Sequence, residues 1–516
     1  MRAKGEAEEG AICRNLTNGV QTFFVSFAER RGDPLSANKC ASVEMYQDRY
    51  VSAQICVRAL PIIGCKEVFT GKYFGTDGFR GEAGSFVTAE NAFKVGKVLG
   101  WYFGASKGRK CRAVIGKDTR RSSYMLEYAL AAGLTSSGAD AYIMHVTTTP
   151  SVSYVTRCDG FDCGIMVSAS HNPYYDNGIK LLNDRGEKME NEVISIIESY
   201  LDGDLTPFGG RELPSAKGSD VGKTVDYVSG RNRYVGHLIS LATCSYKGLR
   251  VGLDGANGSA FAIARNVFDA LGAKTYVIGD SPDGTNVNDG VGSTHIGALK
   301  ELVLKNSLDI GFAFDGDADR CIAVDSNGGI ITGDEEMYIS ALYLKNRGEL
   351  LKNKIVCTVL SNGGLVSSLS KKGIDCAICD VGDKNVCDKM SEMGAVLGGE
   401  RSGHVVFSKY ETTGDGLVTA VMIMEALVEN GGLDGLLKGY KSLPQASVSV
   451  PVLNKDTAMS GVQTLAEKLG KDLALRLIVR PSGTEPVIRV TAEGESEEAC
   501  ALACKILSSK IAENVG

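Results

Sequence analysis

The 516-residue sequence predicts an α/β protein built from three similar α/β domains and a smaller C-terminal α+β domain. Two observations carry this. Stretches beginning near residues 111, 249 and 353 repeat one pattern: an apolar strand, a short Gly/Asp/Asn loop, an amphipathic helix and a second apolar strand. From about residue 443 the pattern changes to strand-rich segments closed by a single helix.

Residues 1–70 fit neither pattern and are expected to be a disordered extension or the product of an upstream start, with initiation near Val68. The first unit, "CRAVIGKDTRRSSYMLEYALAAGLTSSGADAYIMHV", spaces Met125, Leu126, Ala129, Leu130 and Leu134 along one helical face. The second, "LRVGLDGANGSAFAIARNVFDALGAKTYVIG", and third, "NKIVCTVLSNGGLVSSLSKKGIDCAICDVG", have nearly continuous Val/Ile/Leu strands, the mark of strands covered on both faces. Linkers are expected at "PFGGRELPSAKGSD" and "LDGLLKGYKSLPQ", giving domains at 71–221, 222–329, 330–442 and 443–516. "LALRLIVRPSGTEPVIRVTAEG" and "SEEACALACKILSSKIAENVG" supply the strands and closing helix of the last domain.

A formal net charge of −6 with no Lys/Arg-rich block argues against nucleic-acid and anionic-membrane partners. No run reaches the roughly 18 apolar residues that a membrane span requires. The fifteen cysteines are scattered through apolar stretches, which fits reduced thiols and a cytoplasmic setting. Cys376 and Cys379 form a lone C-x-x-C inside a strand-like run and are expected to be buried hydrophobes, without a second pair to complete a zinc site.

Four loops could carry chemistry. "VSASHNPYYDNGIK", residues 167–180, sets Ser170 beside His171. It lacks the glycines of a G-x-S-x-G elbow, and adjacent side chains of an extended segment diverge, so an acyl-transfer pair is not supported. The plain alternative is an Asn-Pro turn with a solvated serine and histidine. "FDGDADRCIAVD" alternates Asp315, Asp317 and Asp319 after an apolar strand. Three carboxylates this close repel unless a cation gathers them, and hard oxygens suit Mg²⁺. An EF-hand is excluded, because its glycine and glutamate positions hold Arg320 and Ser326. "GGERSGHVVF" offers Glu400, Ser402 and His404, either in an irregular loop or along one face of a starting strand. "RPSGTEPVIRV" brackets Ser482, Gly483 and Thr484 between Arg480 and Arg489, a donor set suited to a phosphate dianion or else a surface hairpin. No P-loop is present, "GSDVGKT" being one residue short, and "GLDGANG" lacks dinucleotide-binding spacing.

Taken in this order, the four loops resemble the α-D-phosphohexomutase superfamily from about Lys72 to the C-terminus. The stretches "KYFGTDGFRGEAG", "IGKDTR", "GSTH", "VGDKNV" and "TTGDGLV" are most similar to its bacterial phosphoglucosamine mutase branch. The resemblance implies three similar mixed-sheet α/β domains and a fourth of different type around a central cleft. It further implies that Ser170 carries the transferable phosphate and joins Asp315, Asp317 and Asp319 in binding one Mg²⁺. Arg80, Lys180 and His171 would support that site, Glu400, Ser402 and His404 would meet the sugar, and Arg480, Ser482, Gly483, Thr484 and Arg489 would grip the distal phosphate. The implied reaction interconverts glucosamine 6-phosphate and glucosamine 1-phosphate through a glucosamine 1,6-bisphosphate intermediate and activator, feeding UDP-N-acetylglucosamine and peptidoglycan precursors. A small phosphosugar is the implied partner, and a homodimer stays open. Arg401 departs from the pattern, since phosphoglucosamine mutases usually carry Gln there and some phosphomannomutase/phosphoglucomutase relatives Met. Glucosamine, mannose and glucose phosphates therefore all stay open as substrates, a phosphomannomutase/phosphoglucomutase being the alternative.

Overall fold

The computed structural model describes residues 71–75, 77–482 and 486–515, with the backbone of three short upstream strands, Arg14–Thr17, Val20–Phe23 and Val43–Met45, paired antiparallel. Those strands aside, the expectation for residues 1–70 lies outside the described residues.

Each of the three repeats forms a parallel strand–helix–strand unit. In the first, Arg112–Lys117 leads through the helix Arg121–Ser136 to Asp140–Val146. Arg250–Asp254, Ile263–Ala270 and Lys274–Ile278 form the second, and Lys354–Thr358, Gly363–Ser370 and Asp375–Cys379 the third. Expected burial holds for the leading strands but not for Lys274–Ile278 or Asp375–Cys379, which are half-exposed because each is the edge strand of its sheet. Cys376 and Cys379 are accordingly half-buried, not buried, and their spacing of three along a strand sends them to opposite faces. Met125, placed on the apolar face of its helix, is also exposed.

All three large sheets are mixed. Beyond each parallel unit lies another parallel strand whose C-terminal end turns straight into an antiparallel return. Cys163–Val167 turns into Asp176–Leu182, Ile310–Phe314 into Cys321–Asp325, and Leu397–Gly399 into Val405–Phe407. The serine, aspartate and Glu400 loops are these three turns. They occupy equivalent positions in the three domains, at the carboxyl ends of strands where ligands of open α/β sheets bind. The fourth domain is a three-stranded antiparallel sheet, Gln445–Pro451, Val487–Glu493 and Arg476–Pro481, covered by the helices Val462–Leu473 and Glu497–Val515. Its own loop joins Arg476–Pro481 to Val487–Glu493. A short strand, Thr224–Asp226, lies beyond the first linker yet extends the first sheet by pairing with Asp140–Val146.

The second and third domains share one hydrophobic core. At its centre runs the helix Gly416–Asn430, buried on all sides from Gly416 to Leu427, which explains its apolar sequence "GLVTAVMIMEAL". The first domain docks on the second at and beside the aspartate loop: Thr149 N–H donates to the Asp317 carbonyl at 3.0 Å, and the Thr119 hydroxyl to the Asn257 carbonyl at 2.6 Å. Among the described residues no helix is long and apolar enough to cross a membrane.

Candidate active site

Ser170 sits at φ +52°, in the left-handed region that a serine rarely adopts. The surrounding bonds impose this. Ser170 N–H donates to the Ser168 hydroxyl at 2.9 Å, and that hydroxyl donates to Asp118 at 2.7 Å. Fully buried Arg120 spends all five of its N–H groups here: Nε on Asp118, Nη1 on the carbonyls of Pro173 and Asp176, and Nη2 on those of Ser170 and Asn172. Asn288 of the second domain donates to the same Ser170 carbonyl at 2.9 Å. A buried cation with four donors on one loop's carbonyls and the fifth anchored on Asp118 fixes that loop's path. The twist also overturns the expectation that Ser170 and His171 diverge: Ser170 Oγ lies 3.4 Å from His171 Nδ1, because the backbone there is left-handed and not extended.

The Ser170 hydroxyl donates to Asp315 Oδ2. Asp315, Asp317 and Asp319 are buried, with one oxygen from each within 4.8 Å of the others. Burial pushes Asp315 up to about 8, with the Asp319 and Asp317 charges adding to it. Asp317 Oδ1 and Asp319 Oδ1 are buried without hydrogen-bond partners. Converging hard oxygens with orphaned lone pairs fit a small divalent cation such as Mg²⁺.

The countercharges come from two domains. Arg80, on the strand Gly78–Glu82, faces Gly178 across an antiparallel pair, so Lys180, two residues on, shares its face of the sheet. Gly178 is needed at that crossing, since a Cβ would lie 2.7 Å from the Ser168 carbonyl and 2.8 Å from Arg80 Cγ. Lys180 Nζ reaches Asp317 at 2.5 Å and Asp319 at 3.1 Å. Burial works against its charge, but the two carboxylates outweigh it and hold the ammonium well above its usual range. Burial would likewise raise Asp319, yet Lys180, His404 and Arg320 together hold it far below the carboxylate range. His171 is driven down to about 4 by burial and then by Arg320 and Arg80, so its ring is neutral at neutral pH. Arg320, which sequence reasoning used only to exclude an EF-hand, is a principal cation of this cluster, its charge acting on Asp319, Asp315, Asp77 and Glu400. It closes the "DGDADR" stretch, so its signal was present. Arg120 in "IGKDTR" and Asn288 gave none, because their partners lie about 50 and 118 residues away in sequence.

Glu400, Ser402 and His404 do not alternate along a strand. They lie in the hairpin between Leu397–Gly399 and Val405–Phe407, where Gly403 at φ +87° turns the chain. A Cβ on Gly403 would lie 1.9 Å from the Cys321 carbonyl, so the hairpin is pressed against the second domain. Glu400 accepts from Gly382 N–H at 2.9 Å and from the Ser402 hydroxyl at 3.2 Å. His404 is buried, with Nε2 accepting from Gly414 N–H at 3.2 Å and Nδ1 at 4.0 Å from Asp319. The ring thus packs beside the aspartate loop, next to Glu400 and Ser402 in the same hairpin. Arg401, the departure from the family pattern, directs its charge at Asp334 and Tyr440.

In the fourth domain Arg480 and Arg489 stand directly opposite each other on paired strands. Burial and then the Arg489 charge lower Arg480 from its usual range, with Glu400 opposing, so this pair faces the third domain's loop. Like charges directly across a ladder destabilise it unless an anion sits between them. Ser482 is buried, its carbonyl accepting from Lys455 at 2.6 Å. Gly483 and Thr484 lie outside the described residues.

Comparison with known proteins places this geometry. Models of the phosphoglucomutase/phosphomannomutase family match in order: alpha/beta/alpha domain I at residues 71–206, domain II at 232–329, domain III at 332–443 and the C-terminal domain at 448–505. A curated phosphoglucosamine mutase of Lachnoclostridium phytofermentans is 55% identical over 435 residues, covering 83% of this chain and 96% of that protein. In fold, the chain resembles a phosphoglucomutase/phosphomannomutase family protein from Burkholderia thailandensis, with TM-score 0.71 and 24% identity over 86% of this chain and 97% of the other. It also resembles the Aspergillus fumigatus N-acetylphosphoglucosamine mutase solved with GlcNAc-6P and magnesium, with TM-score 0.60 and 16% identity over 86% and 96% of the two chains. With all four domain models matched in sequence order and more than half of the aligned residues shared with a curated relative, the chain belongs to the phosphoglucomutase/phosphomannomutase family of phosphohexomutases, on its phosphoglucosamine mutase side.

Proposed function

We propose that the chain interconverts glucosamine 6-phosphate and glucosamine 1-phosphate, with Ser170 as the phosphoryl carrier. One observation supports this above the others: the Ser170 hydroxyl donates to Asp315 of a buried carboxylate triad whose countercharges are Lys180 and Arg320. The name of the curated relative supports the choice of sugar.

Starting from phosphorylated Ser170, the P–Oγ bond breaks as a P–O1 bond forms on the sugar, and the O1 proton ends on Oγ. The 1,6-bisphosphate turns around, its P–O6 bond breaks as P–Oγ reforms, and the Ser170 proton ends on O6. Phosphoryl transfer demands in-line positioning and neutralised charge more than new covalent partners. Lys180 and Arg80 face the transferring group from the first sheet, and Arg320 from the second domain. Neutral His171 offers a hydrogen bond beside Oγ without adding charge. Asp315, Asp317 and Asp319, with an oxygen on Ser170, would hold one Mg²⁺, which when bound adds positive charge at the transferring phosphoryl group. Glu400 and Ser402 meet the sugar hydroxyls or amine, while Arg480 and Arg489 take whichever phosphate is not reacting. That division lets one clamp serve both half-reactions. The cysteines, scattered along the chain and free among the described residues, support a cytoplasmic enzyme.

Measuring kcat/KM for the phosphates of glucosamine, mannose and glucose tests the substrate: glucosamine phosphate is expected to lead by about 10-fold or more, and a lead for mannose or glucose would reassign the sugar. Ser170→Ala is expected to lower turnover by at least about 10⁴-fold, and near-normal turnover with bisphosphate present would remove the carrier role. For Arg480→Ala, loss of a charge-assisted contact should cut kcat/KM about 10- to 100-fold, with KM raised and kcat lowered together because remote binding positions the reacting end. Unchanged kinetics would exclude that clamp.

A further inference from the structure

Asp317 uses its two carboxylate oxygens differently. Oδ2 accepts from the Thr149 hydroxyl at 2.5 Å and from Lys180 at 2.5 Å, while Oδ1 is buried with no hydrogen-bond partner. Thr149 opens the helix Thr149–Cys158 of the first domain, and Asp317 lies 168 residues away in the second. The same threonine holds the backbone too, through its N–H to the Asp317 carbonyl at 3.0 Å. Two bonds from one buried, β-branched residue fix both the position of Asp317 and the rotation of its carboxylate. Lys180 cannot supply that rotation alone, since it is a point charge on a flexible stem and also reaches Asp319 at 3.1 Å.

We propose that Thr149 is a positioning residue of the cation site: by occupying Oδ2 it presents Oδ1 to the metal, and it makes metal affinity depend on the docking of the first domain against the second. This rests on the reading that the Asp triad holds a divalent cation. Partners of metal-ligating carboxylates orient them, and their loss costs about 10- to 100-fold in affinity. No residue of the triad's own loop donates a hydrogen bond to Asp317 Oδ2 among the described residues.

The test is a titration of the full-length chain with Mn²⁺, the free ion being counted by its EPR signal, so that binding is read without turnover. Thr149→Val keeps the size and branching but deletes the donor, and it should weaken Mn²⁺ binding at least about 10-fold. Thr149→Ser keeps the hydroxyl and should bind close to wild type, which guards against a Val variant that fails to fold. Wild-type affinity in Thr149→Val, or an equal loss in Thr149→Ser, would overturn the positioning role. Asp317→Asn separates the two ideas: if it binds Mn²⁺ like wild type, the cation site itself is wrong, whereas its loss beside an unaffected Thr149→Val rejects only the role of Thr149.

Discussion

Three carboxylates buried within 4.8 Å of one another form the constraint on which the rest of the site depends. Their mutual repulsion and lost hydration are costly, and neither the loop nor its own domain supplies enough positive charge to offset them. Arg320 comes from the same turn, but Lys180 comes from the first domain's sheet. The domains are therefore held in register by the same charges that would meet a phosphoryl group. His171, lowered first by burial and then by this positive field, stays neutral.

The chemistry sits on one structural device used three times. In each α/β domain a parallel strand ends in a turn to an antiparallel return, and the three turns carry Ser170, the aspartate triad and Glu400. A turn at a strand end can take unusual backbone angles that a strand interior forbids, as at Ser170, Ala318 and Gly403. The fourth domain places Arg480 and Arg489 on a hairpin instead, a different scaffold suited to gripping a phosphate without acting on it. The pairing of two arginines across one ladder supports that assignment.

Much of this was legible in the sequence, because the repeats and their helices follow from local periodicity. The four motif loops stood out through charged residues packed at short spacing. What the sequence hid depends on tertiary closure. Lys274–Ile278 and Asp375–Cys379 are half-exposed despite their apolar composition, because composition does not say which strand lies at an edge. The angle at Ser170 is set by Arg120 and Asn288, and no local pattern connects those residues to the serine. Thr149 is the last of three consecutive threonines before Pro150, and its partner is far along the chain. The bond from Gly414 N–H to His404 joins residues ten apart, and no local pattern announces it.

In the proposed mechanism Ser170 itself carries the phosphoryl group. Incubating the full-length chain with glucosamine 1,6-bisphosphate labelled in its phosphates, then denaturing, digesting and mapping the label, tests it most directly. The mechanism predicts covalent label that survives denaturation and maps to the peptide containing Ser170 alone. Label that is released on unfolding, or that maps to another residue, would contradict it.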